Sequence, residues 1–176
     1  GWELHMDSAD LCAVYEAVCT AGAEFDLVDF GSYALNSMRI EKAYHGWGAD
    51  FGIEYSMFDS GLEKFIDFNK PDFIGREAVL KQREQKPQWR FIKLIVDNND
   101  ADSLAGDPIL LDGECIGYVT SGGTGFRVDQ CLALGYVSNS INDPATGFEI
   151  EILGEACRAT LAKRLFYDAD NHRLRS

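Results

Sequence analysis

At Pro87 the chain changes its rhythm. Before the polar stretch QREQKPQW, apolar residues recur at the three-and-four spacing of amphipathic helices; after it they alternate, as in half-buried strands. Proline ends the helical period there, because its ring disfavours a helical residue before it and it has no N–H to donate. The second half reads WRFIKLIVDN, DPILLDGECIGYVTSGG, QCLALGYVS and GFEIEILGEACRATLAKRL. These short alternating runs are cut by Asp-Gly, Gly-Gly and Asn-Asp, the residues of tight antiparallel turns. A small antiparallel barrel or sandwich is expected. The whole chain is read as α+β followed by all-β.

In the first half GWELH alternates like a strand, and Leu11, Val14, Tyr15 and Val18 follow at helical spacing, with Asp7 or Ser8 as cap and Gly22 as stop. A shorter helix is expected after Gly31 and Ser32, carrying Tyr33, Leu35 and Met38 on one side and ending near Arg39. DFGIEYSMFDSGLEKFIDFNKPDFIG mixes strand-like runs with turn residues, and GREAVLKQREQ closes this half as a helix after Asp72 and Gly75. The chain begins without methionine and presents Trp2 at once, which reads as a fragment of a longer protein.

Sixteen basic residues against 29 acidic ones leave a net charge of −13, which opposes any broad contact with nucleic acid or anionic lipid. No apolar run approaches the roughly 20 residues of a membrane-spanning helix. Five cysteines, at 12, 19, 115, 131 and 157, form no CxxC pair and have no histidines at ligand spacing. They are expected to be buried reduced thiols, which suits the cytoplasm of a bacterium or the mitochondrial matrix.

The stretch MRIEKAYHGWGAD, residues 38–50, is the candidate site. If the chain is extended after the helix, Arg39 and Glu41 project to one face; a continuing helix sets them about 200° apart. In the extended case Glu41 is a carboxylate able to take two parallel N–H donors from a heterocycle with an amide-like N–H beside an amino group, the edge of a pterin or guanine. The alternative is an ordinary surface pair, Arg39 with Glu41 or Glu41 with Lys42. Tyr44 and Trp47 supply flat walls or simply belong to the core. His45 is the only histidine near this stretch, and SGGTG at 121–125 reads as a turn between strands, since it lacks the Lys-Ser/Thr of a phosphate loop.

Three blocks, FGSYALNSMRIEKAYHGWGAD, GLEKFIDFNKPDFIGREAVL and GYVTSGGTGFRVDQCLALGYV, together resemble the glycine-cleavage T-protein (aminomethyltransferase) family. The likeness is closer to the folate-binding portion of dimethylglycine and sarcosine dehydrogenases. It implies that residues 1–84 are the later part of a folate-binding domain and residues 88–176 a carboxy-terminal β-barrel. It implies tetrahydrofolate as ligand, with Glu41 anchoring the pterin, Arg39 completing an Arg-x-Glu pattern, and Tyr44 and Trp47 lining the pocket. Lys70, in FNKP, takes the place of the family's basic cluster for the folate tail. The family's catalytic aspartate, and the FAD domain of the dehydrogenases, would lie upstream in the parent chain. On this resemblance a one-carbon unit derived from an N-methyl amine passes to tetrahydrofolate as 5,10-methylenetetrahydrofolate, and the present chain does not complete the reaction alone. A stand-alone aminomethyltransferase or related demethylase, and a folate-binding module without turnover, are the other readings.

Overall fold

The computed structural model describes residues 2–98, 100–141 and 147–175. Two compact units are present, Gly1–Ser32 and Tyr33–Ser176. The first holds a 3-10 turn at Ser8–Asp10, helix α1 (Leu11–Gly22) and a second 3-10 turn at Ala23–Phe25. Gly22 ends α1 as expected, but the chain turns away only at Asp26, which takes the left-handed conformation at φ 54°. Neither Asp7 nor Asp10 caps through its side chain. None of α1 is buried; Leu11, Tyr15 and Val18 are exposed.

The second unit is built around a barrel. Helix α2 (Ser32–Glu41) leads in, α3 (Arg76–Glu84) follows a long irregular stretch, and six strands complete the fold. They are β1 (Trp89–Val96), β2 (Pro108–Leu111), β3 (Glu114–Gly125), β4 (Gln130–Ser138), β5 (Phe148–Ile152) and β6 (Glu155–Leu161); a short helix α4 (His172–Arg175) ends the chain. The strands close in the order β1-β4-β3-β2-β5-β6, every pairing is antiparallel, and β6 returns to β1 through Leu94–Val96.

Turn chemistry explains the connections. Asp112 and Gly113 both have positive φ, 51° and 80°, the backbone of a two-residue hairpin turn between β2 and β3. Leu153 and Gly154 do the same between β5 and β6. The expected Asn142-Asp143 turn lies outside the described residues.

Alternation sorts the side chains. Ile92, Leu94, Val96, Ile109, Val119, Ala133, Val137, Phe148 and Ile150 fill the core. Strand β4 is buried on both faces, because Leu132 and Leu134 pack in a second cluster with Ile40 and Ala43 at the end of α2. That double burial is why QCLALGYVS is almost continuously apolar.

Several local expectations are corrected. GWELH forms no strand over its described residues: Trp2 is 98% exposed, and an alternating segment stays irregular without a strand edge to pair with. Residues 51–74 hold no strand: they carry an isolated bridge, from Trp47 to Phe51, a 3-10 turn at Glu63–Phe65, and turns. SGGTG is not a turn but the end of β3, paired to β4 from Ser121↔Leu134 to Gly125↔Gln130. Of the cysteines only Cys131 is buried; Cys12 and Cys115 are exposed, since α1 is uncovered and Cys115 sits beside a hairpin. Burial pushes the Cys131 thiol above its ordinary pKa.

Candidate functional site

Helix α2 does not stop before the motif but runs into it. It ends at Glu41; two residues on, Ala43 takes a left-handed φ of 49°, and the Tyr44 amide reaches back to the Arg39 carbonyl at 3.1 Å. This is a helix-terminating loop that usually uses glycine, so Ala43 carries a strain of about 1 kcal/mol. Arg39 and Glu41 therefore point apart, and the expectation that they share a face is overturned by helical geometry.

Arg39 turns into the glycine-rich loop. Its guanidinium meets the Asp50 carboxylate at 2.5 Å, the Tyr44 carbonyl at 2.8 Å, Asn36 Oδ1 at 2.7 Å and Ser121 Oγ at 2.9 Å. Asp50 is fully buried; it also accepts from the Gly46 amide at 2.8 Å and the Thr120 hydroxyl at 2.5 Å. The loop closes on itself as the amides of Ala49, Asp50 and Phe51 converge on the Gly46 carbonyl. Beneath it the Tyr136 hydroxyl donates to the Asp50 carbonyl at 2.8 Å and pairs with Ser60 Oγ, and its ring stacks on Tyr55 at 3.7 Å. Burial is the main cause that pushes the Tyr136 phenol up to about 12, so it remains a donor at neutral pH.

Glu41 turns toward the barrel. It is 3% exposed, and its Oε1 accepts the Arg127 amide at 2.6 Å and the Val128 amide at 3.2 Å, in the turn between β3 and β4. Among the described residues Oε2 takes no hydrogen bond. Gly125 makes room for this approach: a Cβ there would lie 3.0 Å from Glu41 Cγ and 2.7 Å from Leu132 Cδ1. Gly122 does the same for a crossing chain, since its Cβ would fall 2.0 Å from the Ser103 carbonyl oxygen. Close approach, not turn formation, explains Gly122 and Gly125.

The remaining expected residues are dispersed. Tyr44 is half exposed and Trp47 is 76% exposed, its ring edge-on to Phe51; among the described contacts neither side chain touches Glu41. Lys70 is exposed, and its carbonyl, not its ammonium, holds Arg76. His45 stacks on Phe91 at 4.0 Å, and burial is the main cause that lowers its pKa. Asp50, Thr120, Ser121 and the two turn amides were not legible as partners. Asp50 closes the quoted motif, but nothing in its spacing from Arg39 marks the pair.

Residues 1–70 match the family model described as GCVT N-terminal domain, and residues 90–168 match the glycine cleavage T-protein C-terminal barrel domain. The chain is 35% identical over 162 residues to dimethylglycine dehydrogenase, mitochondrial, of Mus musculus, a match over 92% of this chain and 19% of that protein. It is 31% identical over 167 residues to the aminomethyltransferase of Moorella thermoacetica, over 95% of this chain and 45% of the other. The solved glycine cleavage system aminomethyltransferase T from Bartonella henselae shares the fold, with a TM-score of 0.79 at 24% identity, over 90% of this chain and 44% of that one. The chain thus spans about a fifth of the length of its dehydrogenase relatives.

Proposed function

Because the chain belongs to the glycine cleavage T-protein family, we propose that it is the folate-binding portion of an FAD-dependent dimethylglycine or sarcosine dehydrogenase-like enzyme. Residues 1–84 are then the later part of the folate-binding domain and residues 88–176 its carboxy-terminal barrel. The observation that carries this reading is Glu41: a nearly buried carboxylate, fixed by two backbone amides, with Oε2 left to receive an N–H donor. The relatives' printed names supply the chemistry, since the first of them is a dehydrogenase of an N-methyl amine.

On this reading FAD, held elsewhere in the parent chain, would supply the two-electron acceptor for oxidation of the N-methyl amine. Tetrahydrofolate accepts the released carbon and leaves as 5,10-methylenetetrahydrofolate. What this chain does is hold the acceptor. Oε2 receives a ring N–H; a two-point grip requires Oε1 to give up Val128, the longer of its two contacts. Holding the nucleophilic nitrogen beside the incoming carbon raises its effective concentration, and that placement is the catalytic contribution. Arg39 braces the loop that carries Tyr44 and Trp47, the candidate walls, and Lys70 serves the folate tail. The parent works in the mitochondrial matrix or a bacterial cytoplasm, without nucleic acid or membrane as partner.

Glu41→Gln in the intact protein tests this. Loss of a charged hydrogen bond worth about 1.5–3 kcal/mol weakens tetrahydrofolate binding roughly 10- to 100-fold and raises free formaldehyde during amine turnover. Unchanged titration and unchanged formaldehyde would refute it. A second reading, a stand-alone aminomethyltransferase, is favoured by the 31% identity to the Moorella thermoacetica protein. It predicts transfer from an aminomethylated lipoyl protein without flavin reduction.

A further inference from the structure

Glu41 is where three stretches of chain, remote in sequence, meet. Its Oε1 is held by the Arg127 and Val128 amides, and its own carbonyl accepts the Tyr167 amide at 3.1 Å. The Arg127 guanidinium lies over the Tyr167 ring, 5.4 Å from its centre, so the circuit from Glu41 side chain to Arg127 to Tyr167 to Glu41 main chain is closed. Leu165 and Phe166 press on the cluster of Ile40, Ala43, Leu132 and Leu134. The carboxy-terminal segment is thus laid across the end of α2.

One side chain fastens it. Lys42 Nζ donates to the Asp168 carbonyl at 2.9 Å and to Asn171 Oδ1 at 2.7 Å, and faces the Asp168 carboxylate at 3.5 Å. Both partners are largely sequestered, with 15% of the Lys42 side chain and 10% of the Asp168 side chain exposed. An ammonium has three N–H groups, and three acceptors are supplied. The segment is shaped to offer them: Asp168 and Asn171 both have left-handed backbones, φ 45° and 56°, and Asp168 Oδ1 accepts the His172 amide at 2.7 Å. The positive charge also stands at the carbonyl end of α2, where the helix dipole favours it.

We propose that Lys42 is a positioning residue: by fastening the segment Leu165–Asn171 across the end of α2 it sets the Glu41 carboxylate for recognition of the folate ring. The inference rests on the folate reading of Glu41. Lys42 touches no ligand in it; it acts through Glu41.

The test is a double-mutant cycle in the intact protein, with tetrahydrofolate itself as the probe in calorimetric titration. Lys42→Met weakens binding at least fivefold in the parent background and less than twofold in the Glu41→Gln background, because the side chain it positions is already neutralised. Lys42→Arg restores affinity to within about threefold of the parent, as a cation that keeps donors for the same acceptors. Amide exchange at Tyr167 speeds up in Lys42→Met. Should Lys42→Met fail to fold, Lys42→Gln, which keeps a donor but not the charge, shows the same background dependence. Equal losses in both backgrounds mark a merely structural lysine and overturn the proposal. Full affinity in Lys42→Met, with weakened binding in Glu41→Gln, also overturns it while leaving the folate reading intact. Full affinity in Glu41→Gln removes both.

Discussion

Replacing Arg39 with methionine isolates the ion pair that holds the glycine-rich loop. Asp50 is fully buried, and 19% of the Arg39 side chain is exposed. Removing the guanidinium leaves the carboxylate with the Gly46 amide and the Thr120 hydroxyl but no counter-charge. Breaking a buried pair from one side costs about 3–5 kcal/mol, and the partial exposure of Arg39 puts this case at the lower end. With a urea dependence of about 2 kcal/mol per molar, the unfolding midpoint falls by about 1.5 M at an unchanged slope. Near-ultraviolet circular dichroism reports it, since Tyr55 and Tyr136 stack directly beneath the loop. Adding Asp50→Asn should recover at least half of the loss, because the amide oxygen still accepts from Gly46 and no charge remains to be matched. A midpoint shift of less than about 0.3 M for Arg39→Met, or a double variant no more stable than the single one, would refute the claim that unpaired charge is the cost.

Two further outcomes follow from the same geometry. Gly122→Ala places a methyl group 2.0 Å from the Ser103 carbonyl oxygen, a backbone atom that cannot rotate away, and lowers the thermal midpoint by overpacking worth about 1–3 kcal/mol or more; an unchanged midpoint would mean that this crossing is looser than described. His45 has a folded pKa below its unfolded value, chiefly because burial disfavours the charged ring. The unfolded chain therefore takes up the proton first, so His45's contribution is complete above about pH 6.5 and is lost as pH falls through the window below it. Thermal midpoints of the protein and of His45→Asn between pH 5 and 8 should converge toward the acidic end, and parallel curves would count against it.

The barrel was legible because its cues are local. Alternation in WRFIKLIV and FEIEI, with Asp112-Gly113 between strands, specifies inward faces and hairpin connections without knowledge of what lies across the fold. The site was only half legible. The motif around Arg39 and Glu41 fell where buried polar contacts gather, but the helix ran two residues past its expected end because Ala43, not glycine, takes the left-handed position. A boundary moved by two residues turned a supposed pair into two side chains on opposite sides. The acceptors of Lys42 lie 126 and 129 positions away, and the donors to Glu41 lie 86 and 87 positions away, separations at which no periodicity carries information.

Strand β1 sits between β4 and β6, so both of its neighbours are made after it. While the protein is being synthesised, WRFIKLIV emerges with two open edges. One is satisfied when residues 131–138 arrive, and the other waits for residues 159–161. Contacts between segments so far apart in sequence form slowly, and an apolar strand with unpaired amides is a template for wrong partners in the meantime. The newborn chain is therefore most vulnerable between the appearance of its first strand and the arrival of its last, a hazard that chaperones holding that strand, not faster local folding, would relieve.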